Sequence, residues 1–213
     1  MALAPPPRIL ASEVVKVAST FRQETRPAML TPTIEARPEP KVKARYVWGA
    51  LRIVIGWIFL WTFLDKAFGL GFSTGRNAET GAITFFGPDA WINGASPTAG
   101  FLEFGVKGPF AEFFRGLAGQ VWIDWVYMLS MAVIGLALVL GIGARIAAIG
   151  GVIWLGIFYL ASAIWPEHNP VVDDHVVYAI ALIGIAIVGA GRWLGLGGWW
   201  EKTALVKRFP ILK

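Results

Sequence analysis

The 213-residue chain contains no cysteine. That excludes disulfides, CxxC redox chemistry, thiolate nucleophiles, iron–sulfur ligation, thiolate-held zinc or haem, and c-type haem attachment. Histidine is almost as scarce, with His168 and His175 the two present. Metal or acid–base chemistry therefore has to rest largely on Asp, Glu, Lys, Arg and Tyr. Charge is also thin, at 15% of residues, where an ordinary soluble domain carries about 25%. What fills the space is apolar: 56% of residues are hydrophobic and the mean hydropathy is +0.60. Such a composition argues against a soluble globule and against disorder for most of the chain.

The apolar residues fall into four runs of the length that crosses a bilayer core, for which about 17–25 helical residues are needed. They span residues 46–64, 121–142, 146–164 and 175–194. They are apolar on all faces, which marks embedded rather than surface helices. The expected fold class is an all-α integral membrane protein: a four-transmembrane-helix bundle with a long outer loop, 65–120, containing short helices. Residues 46–200 form this membrane domain, and 201–213 form a basic cytoplasmic tail. Residues 1–45 are a basic cytoplasmic tail. No apolar run follows Met1, so a cleaved signal peptide is not expected. Ile9, Leu10, Val14, Val17 and Phe21 fall near helical spacing over 9–22, either as an amphipathic surface helix or by accident in a flexible tail. Pro27, Pro32, Pro38 and Pro40 then make an extended linker.

Lys and Arg placement sets the orientation. With four crossings, one side carries 14 basic and five acidic residues and the other carries four basic and nine acidic, Arg52 lying within the first run. Both termini are expected to be cytoplasmic, in a multi-pass protein of a prokaryotic plasma membrane. The excess charge is a topology signal and not a nucleic-acid footprint. Trp48, Trp193, Trp199 and Trp200 fall at the inner ends, and Trp61, Trp122, Trp125 and Trp165 at the outer ends, as aromatic belts require. Trp57 and Trp154 lie deeper and read as packing residues. Ala147, Gly151, Ala186, Gly189 and Ala190 permit close helix approach. Gly141-Ile142-Gly143-Ala144 reads as a tight turn that makes the second and third helices antiparallel neighbours.

In the long loop, Pro109–Leu117 reads as a short helix with Phe110, Phe113, Phe114 and Leu117 on one face. A second short helix is expected near 97–104 after a Ser96 cap, and residues 73–90 read as a hairpin or an irregular flap. Ionisable groups gather at the outer end: Asp65, Lys66, Asp124, Glu167, His168, Asp173, Asp174 and His175. Plain readings exist for several of these and for two arginines at the inner end. Asp173 or Asp174 caps the fourth helix, Asp65–Lys66 is an interfacial charge pair, and Arg52 and Arg192 snorkel to the inner headgroups. The functional readings stand beside these. The two histidines with Glu167, Asp173 and Asp174 offer nitrogen and oxygen metal ligands, although the spacing matches no standard motif. His175 beside carboxylates, with Tyr178 one turn on, could relay protons at a quinone site.

Several segments resemble the DoxX/DoxD family of prokaryotic membrane proteins. These are Phe63-Leu64-Asp65-Lys66-Ala67-Phe68-Gly69, Gly141-Ile142-Gly143-Ala144-Arg145, and Asn169-Pro170 followed by Asp173-Asp174-His175 and Tyr178. The most specific is Gly189-Ala190-Gly191-Arg192-Trp193-Leu194-Gly195-Leu196 with Trp199-Trp200. Trp91-Ile92-Asn93-Gly94-Ala95-Ser96-Pro97-Thr98, then Gly100-Phe101-Leu102, resembles the outer loop of the DoxD-like branch. The resemblance covers residues 46–200. It implies a four-helix membrane subunit. The DoxD branch is associated with thiosulfate:quinone oxidoreductase, and other members are accessory subunits of membrane redox assemblies.

On this reading His175, Asp174, Asp65 and Lys66 are the candidate catalytic residues. Arg76, Lys107 and Arg115 would hold a dianionic substrate such as thiosulfate. Tyr178 is the candidate cofactor contact. Quinone is the candidate cofactor, with no metal and no haem or cluster held by this chain alone. The expected partners are the lipid bilayer and other subunits of a membrane redox or respiratory complex, with no nucleic acid. Three functions remain: a quinone-linked redox subunit of the thiosulfate:quinone oxidoreductase kind, a non-catalytic accessory subunit of a respiratory complex, and a small-solute or lipid transporter. The third is disfavoured by a third helix without charge or interruption.

Overall fold

The computed structural model describes residues 42–166 and 169–213. The amphipathic pattern at 9–22, the proline linker, Glu167 and His168 lie outside the described residues. Among those described, the structure is mostly helical and has no strand. The nearest thing to one is an isolated bridge between Arg76 and Ile83. Four principal helices carry the fold: α1 (Val42–Phe68), α2 (Val121–Leu140), α3 (Ala144–Phe158, continued by a π-helical turn at Tyr159–Ala163) and α4 (Asp174–Val188). Three stretches, Lys43–Phe68, Val121–Leu140 and Ala144–Ala163, are long and apolar enough to cross a membrane.

The fourth helix is shorter than its hydropathy suggests. It is as apolar as its neighbours but stops at Val188, where Gly189 takes φ +69° and donates its N–H to the Ile185 carbonyl. A residue in this left-handed conformation ends a helix, and glycine is the residue that adopts it freely. Residues 190–192 then form a separate 3₁₀ turn. The run to 194 was read as one helix because apolar composition carries on past the cap. At 15 residues α4 is about 22 Å long. Its start follows the sequence closely: Asp173 is the cap, its carboxylate accepting the Val176 N–H at 3.3 Å.

The helices pack as antiparallel neighbours through small residues. A Cβ on Gly135 would lie 2.4 Å from the Leu60 backbone nitrogen, and one on Gly56 would lie 2.7 Å from Leu138 Cβ. Of the residues expected to permit close approach, Ala147, Gly151, Ala186, Gly189 and Ala190, the contact is seen at Gly151, where a Cβ would meet Leu182 of α4 at 2.7 Å, and not at Gly189, where a Cβ would meet nothing within 4 Å. The tighter α1–α2 approach at Gly135 was not anticipated. Ile55, Phe59, Met128, Met131, Leu138, Leu182 and Ile185 fill the centre between the helices. Trp154 packs there as expected, but Trp57 is 49% exposed and stacks on Trp61 at 5.6 Å instead.

Of the two arginines expected to snorkel, Arg192 stays 47% exposed and Arg52 does not. Arg192 is ion-paired to Glu201 at 2.8 Å. Arg52 is wholly buried. One of its terminal nitrogens donates to the Leu138 and Val139 carbonyls, and the other donates to those of Trp193 and Leu194 at 3.0 Å each. The guanidinium thus satisfies carbonyls in the last turn of α2, which a helix terminus leaves without intrahelical partners, together with two carbonyls of the non-helical turn at Trp193–Leu194. Glycines make room for it: a Cβ on Gly141 or Gly195 would lie 3.0 or 2.8 Å from its nitrogens. Substituting Arg52→Met keeps the length but orphans these carbonyls, each worth about 1–3 kcal/mol when buried without a partner. The variant should lose at least about 3 kcal/mol of stability, measurable as a lowered unfolding midpoint in detergent. A midpoint unchanged from the parent would show that the clamp contributes nothing.

Candidate functional site

The loop between α1 and α2 is held down by two buried carboxylates. Asp65, near the end of α1, accepts the backbone N–H groups of Phe72 (3.0 Å) and Ser73 (2.8 Å) and the Ser73 hydroxyl (2.7 Å). Asp124, in the first turn of α2, accepts the hydroxyls of Ser96 (2.9 Å) and Thr98 (2.5 Å) and the Thr98 N–H (3.3 Å). Further contacts pin the loop elsewhere. Trp91 meets Trp125 edge-on at 4.7 Å, and the Lys107 N–H donates to the Ala161 carbonyl at 2.8 Å. Ser96 also accepts the Ala99 N–H at 3.1 Å, and helix follows it through Gly105. The short helix expected at Pro109–Leu117 covers only Ala111–Arg115, and only part of its apolar face turns inward. Phe114 is buried while Phe110 and Phe113 stay exposed. Residues 73–90 form the irregular flap, with an Asn77 side chain closing a turn onto Glu79 and Thr80.

Held in this way, the loop roofs a cavity of about 570 Å³. Its walls come from α2 (Val126, Tyr127), from α3 and its π turn (Trp154, Phe158), and from the loop (Phe101, Phe114). Tyr127, Trp154 and Phe158 pack tilted or edge-on with centroids 5.6–6.2 Å apart, and Phe101 stands edge-on to Phe158 at 6.1 Å. The lining is almost entirely apolar, and Lys66 is its one charged residue. Among the described residues neither the Lys66 ammonium nor the Tyr127 hydroxyl has a hydrogen-bond partner, although Tyr127 is only 8% exposed. Asp65, the neighbour whose charge acts on Lys66, has its own oxygens occupied by the loop. An apolar, aromatic cavity with a few convergent donors is the usual form of a small-molecule site. Here both free polar groups are donors, so the complementary ligand presents acceptors.

A second group lies on the far side of Phe158. The His175 Nδ1 atom is 2.6 Å from Asp173 and 3.5 Å from Asp174. His175, Asp174 and Tyr178 line a smaller cleft of about 190 Å³ with Phe59 and Phe158. The His175 and Phe158 ring centroids are 6.1 Å apart. The structure therefore gathers His175, Asp174 and Tyr178 in one place and Lys66 in another, with Phe158 forming a wall of both. Asp65 opens into neither. Ligand atoms of Asp173, Asp174 and His175 lie within 4.8 Å of one another, but Asp173 already caps α4 and holds the imidazole.

The three cations expected to hold a dianion are not brought together. Arg76 donates to the Gly71 carbonyl within its own turn (2.7 Å), and Arg115 donates to the Val106 carbonyl (3.3 Å). Lys107 lines a separate cleft with Trp165 and Asp173. None of the three lines the aromatic cavity. What the sequence reading missed is that cavity itself, and Tyr127 in particular. The signal was present: Tyr127 follows Asp124 by three residues, so both fall on one face of α2, and Trp154 and Phe158 share a face of α3.

No family model matches the chain, and no curated protein or solved structure matches it.

The Asp124 clasp is open to a direct test. Asp124→Ala leaves the Ser96 and Thr98 donors without their acceptor, which should cost about 1–3 kcal/mol. The expected outcome is faster proteolytic cleavage within residues 95–110 than in the parent, with cleavage elsewhere unchanged. Equal protection of that segment in the two proteins would contradict the clasp.

Proposed function

We propose that this chain is a multi-pass membrane protein of the DoxX/DoxD kind, and that it serves as the quinone-binding subunit of a membrane redox complex. The observation that carries the reading is the aromatic cavity with Lys66 and Tyr127 as its free donors. A quinone ring is flat, apolar on both faces and bears carbonyl acceptors at its ends. The ring fits between aromatic side chains. One carbonyl takes a charge-assisted hydrogen bond from Lys66 and the other a bond from Tyr127. The mouth is flanked by Val126, Leu160 and Phe113, all exposed large apolar residues, so an isoprenoid tail can leave sideways into lipid. Reduction to quinol consumes two protons, which the Lys66 ammonium and Tyr127 hydroxyl at the carbonyls pass on from water; His175, oriented by Asp173, lies in a separate cleft beyond Phe158.

The electrons come from a partner subunit. With no cysteine and no gathered ligands for haem or cluster among the described residues, the chain's own residues supply binding and protons. Oxidation of two thiosulfates to tetrathionate would release the two electrons that the quinone takes up. Because Arg76, Lys107 and Arg115 share no cleft, that half-reaction is assigned to the partner. Titrating the purified protein with decylubiquinone should quench tryptophan fluorescence saturably. Lys66→Gln should weaken binding about tenfold, since a charged hydrogen bond is worth about 1.5–3 kcal/mol, and Tyr127→Phe severalfold. Non-saturable quenching, or affinities unchanged in both variants, would remove the quinone reading.

In this reading α4 crosses the membrane with the other three helices, which puts both termini in the cytoplasm of a prokaryotic cell. The absence of cysteine makes the topology easy to probe. In intact cells a membrane-impermeant maleimide should label Glu79→Cys in the outer loop and leave Lys202→Cys unlabelled until the cells are opened. Labelling of both positions from outside would mean three crossings.

A further inference from the structure

We propose that the folded segment after α4 is a docking surface for anionic phospholipid headgroups, an inference that rests on the membrane-spanning reading. Residues 194–213 are not a loose tail. The Trp200 indole donates to the Leu212 carbonyl at 2.7 Å, Val206 is buried, and Thr203 caps the short helix Ala204–Arg208. Two backbone bonds tie the segment to the α2–α3 turn. The Leu196 N–H donates to the Leu140 carbonyl at 2.7 Å, and the Arg145 N–H donates to the Lys213 carbonyl at 3.0 Å. These bonds fix its height at the ends of two apolar helices, where a bilayer's headgroups would begin.

Its surface has two components that a water-facing terminus does not need together. Trp199, Leu205, Phe209 and Ile211 are each about half exposed or more. Lys202, Lys207, Arg208 and Lys213 are exposed among them. The single acidic residue of the segment, Glu201, is paired with Arg192, so the exposed charge that remains is cationic. Apolar side chains that sink to the acyl boundary, with Lys and Arg at headgroup level, are the composition of an interfacial element on an anionic leaflet. The Arg208 guanidinium over the Phe209 ring, at 5.6 Å, keeps a cation beside an apolar anchor.

The test uses the full chain in bilayers of phosphatidylcholine alone or mixed with phosphatidylglycerol. Phosphatidylglycerol should raise the thermal unfolding midpoint of the parent, and added salt should reduce that rise. The variant carrying Lys202→Gln, Lys207→Gln, Arg208→Gln and Lys213→Gln should lose the rise while matching the parent's midpoint in phosphatidylcholine. Native mass spectrometry should show fewer phosphatidylglycerol molecules retained by that variant. Equal midpoints for the parent in both bilayers, or a variant that keeps the full rise, would overturn the inference while leaving the membrane reading intact. Failure of the parent to enter either bilayer would overturn both.

Discussion

The structure depends on one buried guanidinium. Arg52 sits inside a chain with few charges, and it is held there because its donors meet carbonyls that helix geometry has left over. A helix C-terminus carries partial negative charge. The end of α2 presents such oxygens at Leu138–Val139, and the non-helical turn at Trp193–Leu194 adds two more carbonyls. One planar side chain with five N–H donors can answer several at once in a way that a lysine cannot. The glycines around it follow as a consequence. Gly141 and Gly195 leave space for the guanidinium, and Gly191 and Gly197 let the two turns pass within contact of each other. The glycine-rich run after α4 is the socket for a residue in α1.

The opposite end of the helices uses the reverse chemistry. There the surplus groups are the N–H and hydroxyl donors of a long irregular loop, and the residues that answer them are carboxylates. Asp124 lies in the first turn of α2, where the helix N-terminus itself favours negative charge. Asp65 lies near the C-terminal end of α1, where the helix disfavours it, and is held by three loop donors instead. A cation at one end and two anions at the other thus tie the non-helical segments to the helices. The cavity exists because the loop is drawn over α2 and α3 at these points.

Much of this was legible in the sequence, and the limits have physical causes. Helix positions follow from apolar run length, the α2–α3 turn from Gly141 and Gly143, the α4 cap from Asp173, and the Ser96 turn from its place before Pro97. Hydropathy reports how deep a residue lies but not which way it faces. Arg52 was therefore read as reaching for lipid headgroups when it faces a neighbouring turn, and Trp57 as packed inside when it faces out. The end of α4 was missed because a cap depends on backbone conformation at one glycine, while composition runs on unchanged. Of the candidate site residues, His175, Asp174 and Tyr178 were neighbours in sequence and are neighbours in space. Lys66 and Tyr127 are brought together by α1, α2 and the loop, and no local pattern announces such a meeting.

The placement of the cavity bears on the choice among functions. A path for a small polar solute would need polar groups deep along the helices. Apart from Arg52, whose two terminal nitrogens are bonded at the other end, the charged groups of α1–α4 lie near their termini. The cavity is apolar, roofed by the loop, and flanked by exposed apolar side chains of α2 and α3. A ligand complementary to it is largely apolar, with a polar head that needs only donors to meet it. The His175–Asp173 pair lies apart from the cavity, beyond Phe158. Phe158, a wall of both, keeps the charged cluster at the start of α4 apart from the apolar lining, so the charges of Asp173 and Asp174 do not enter the cavity.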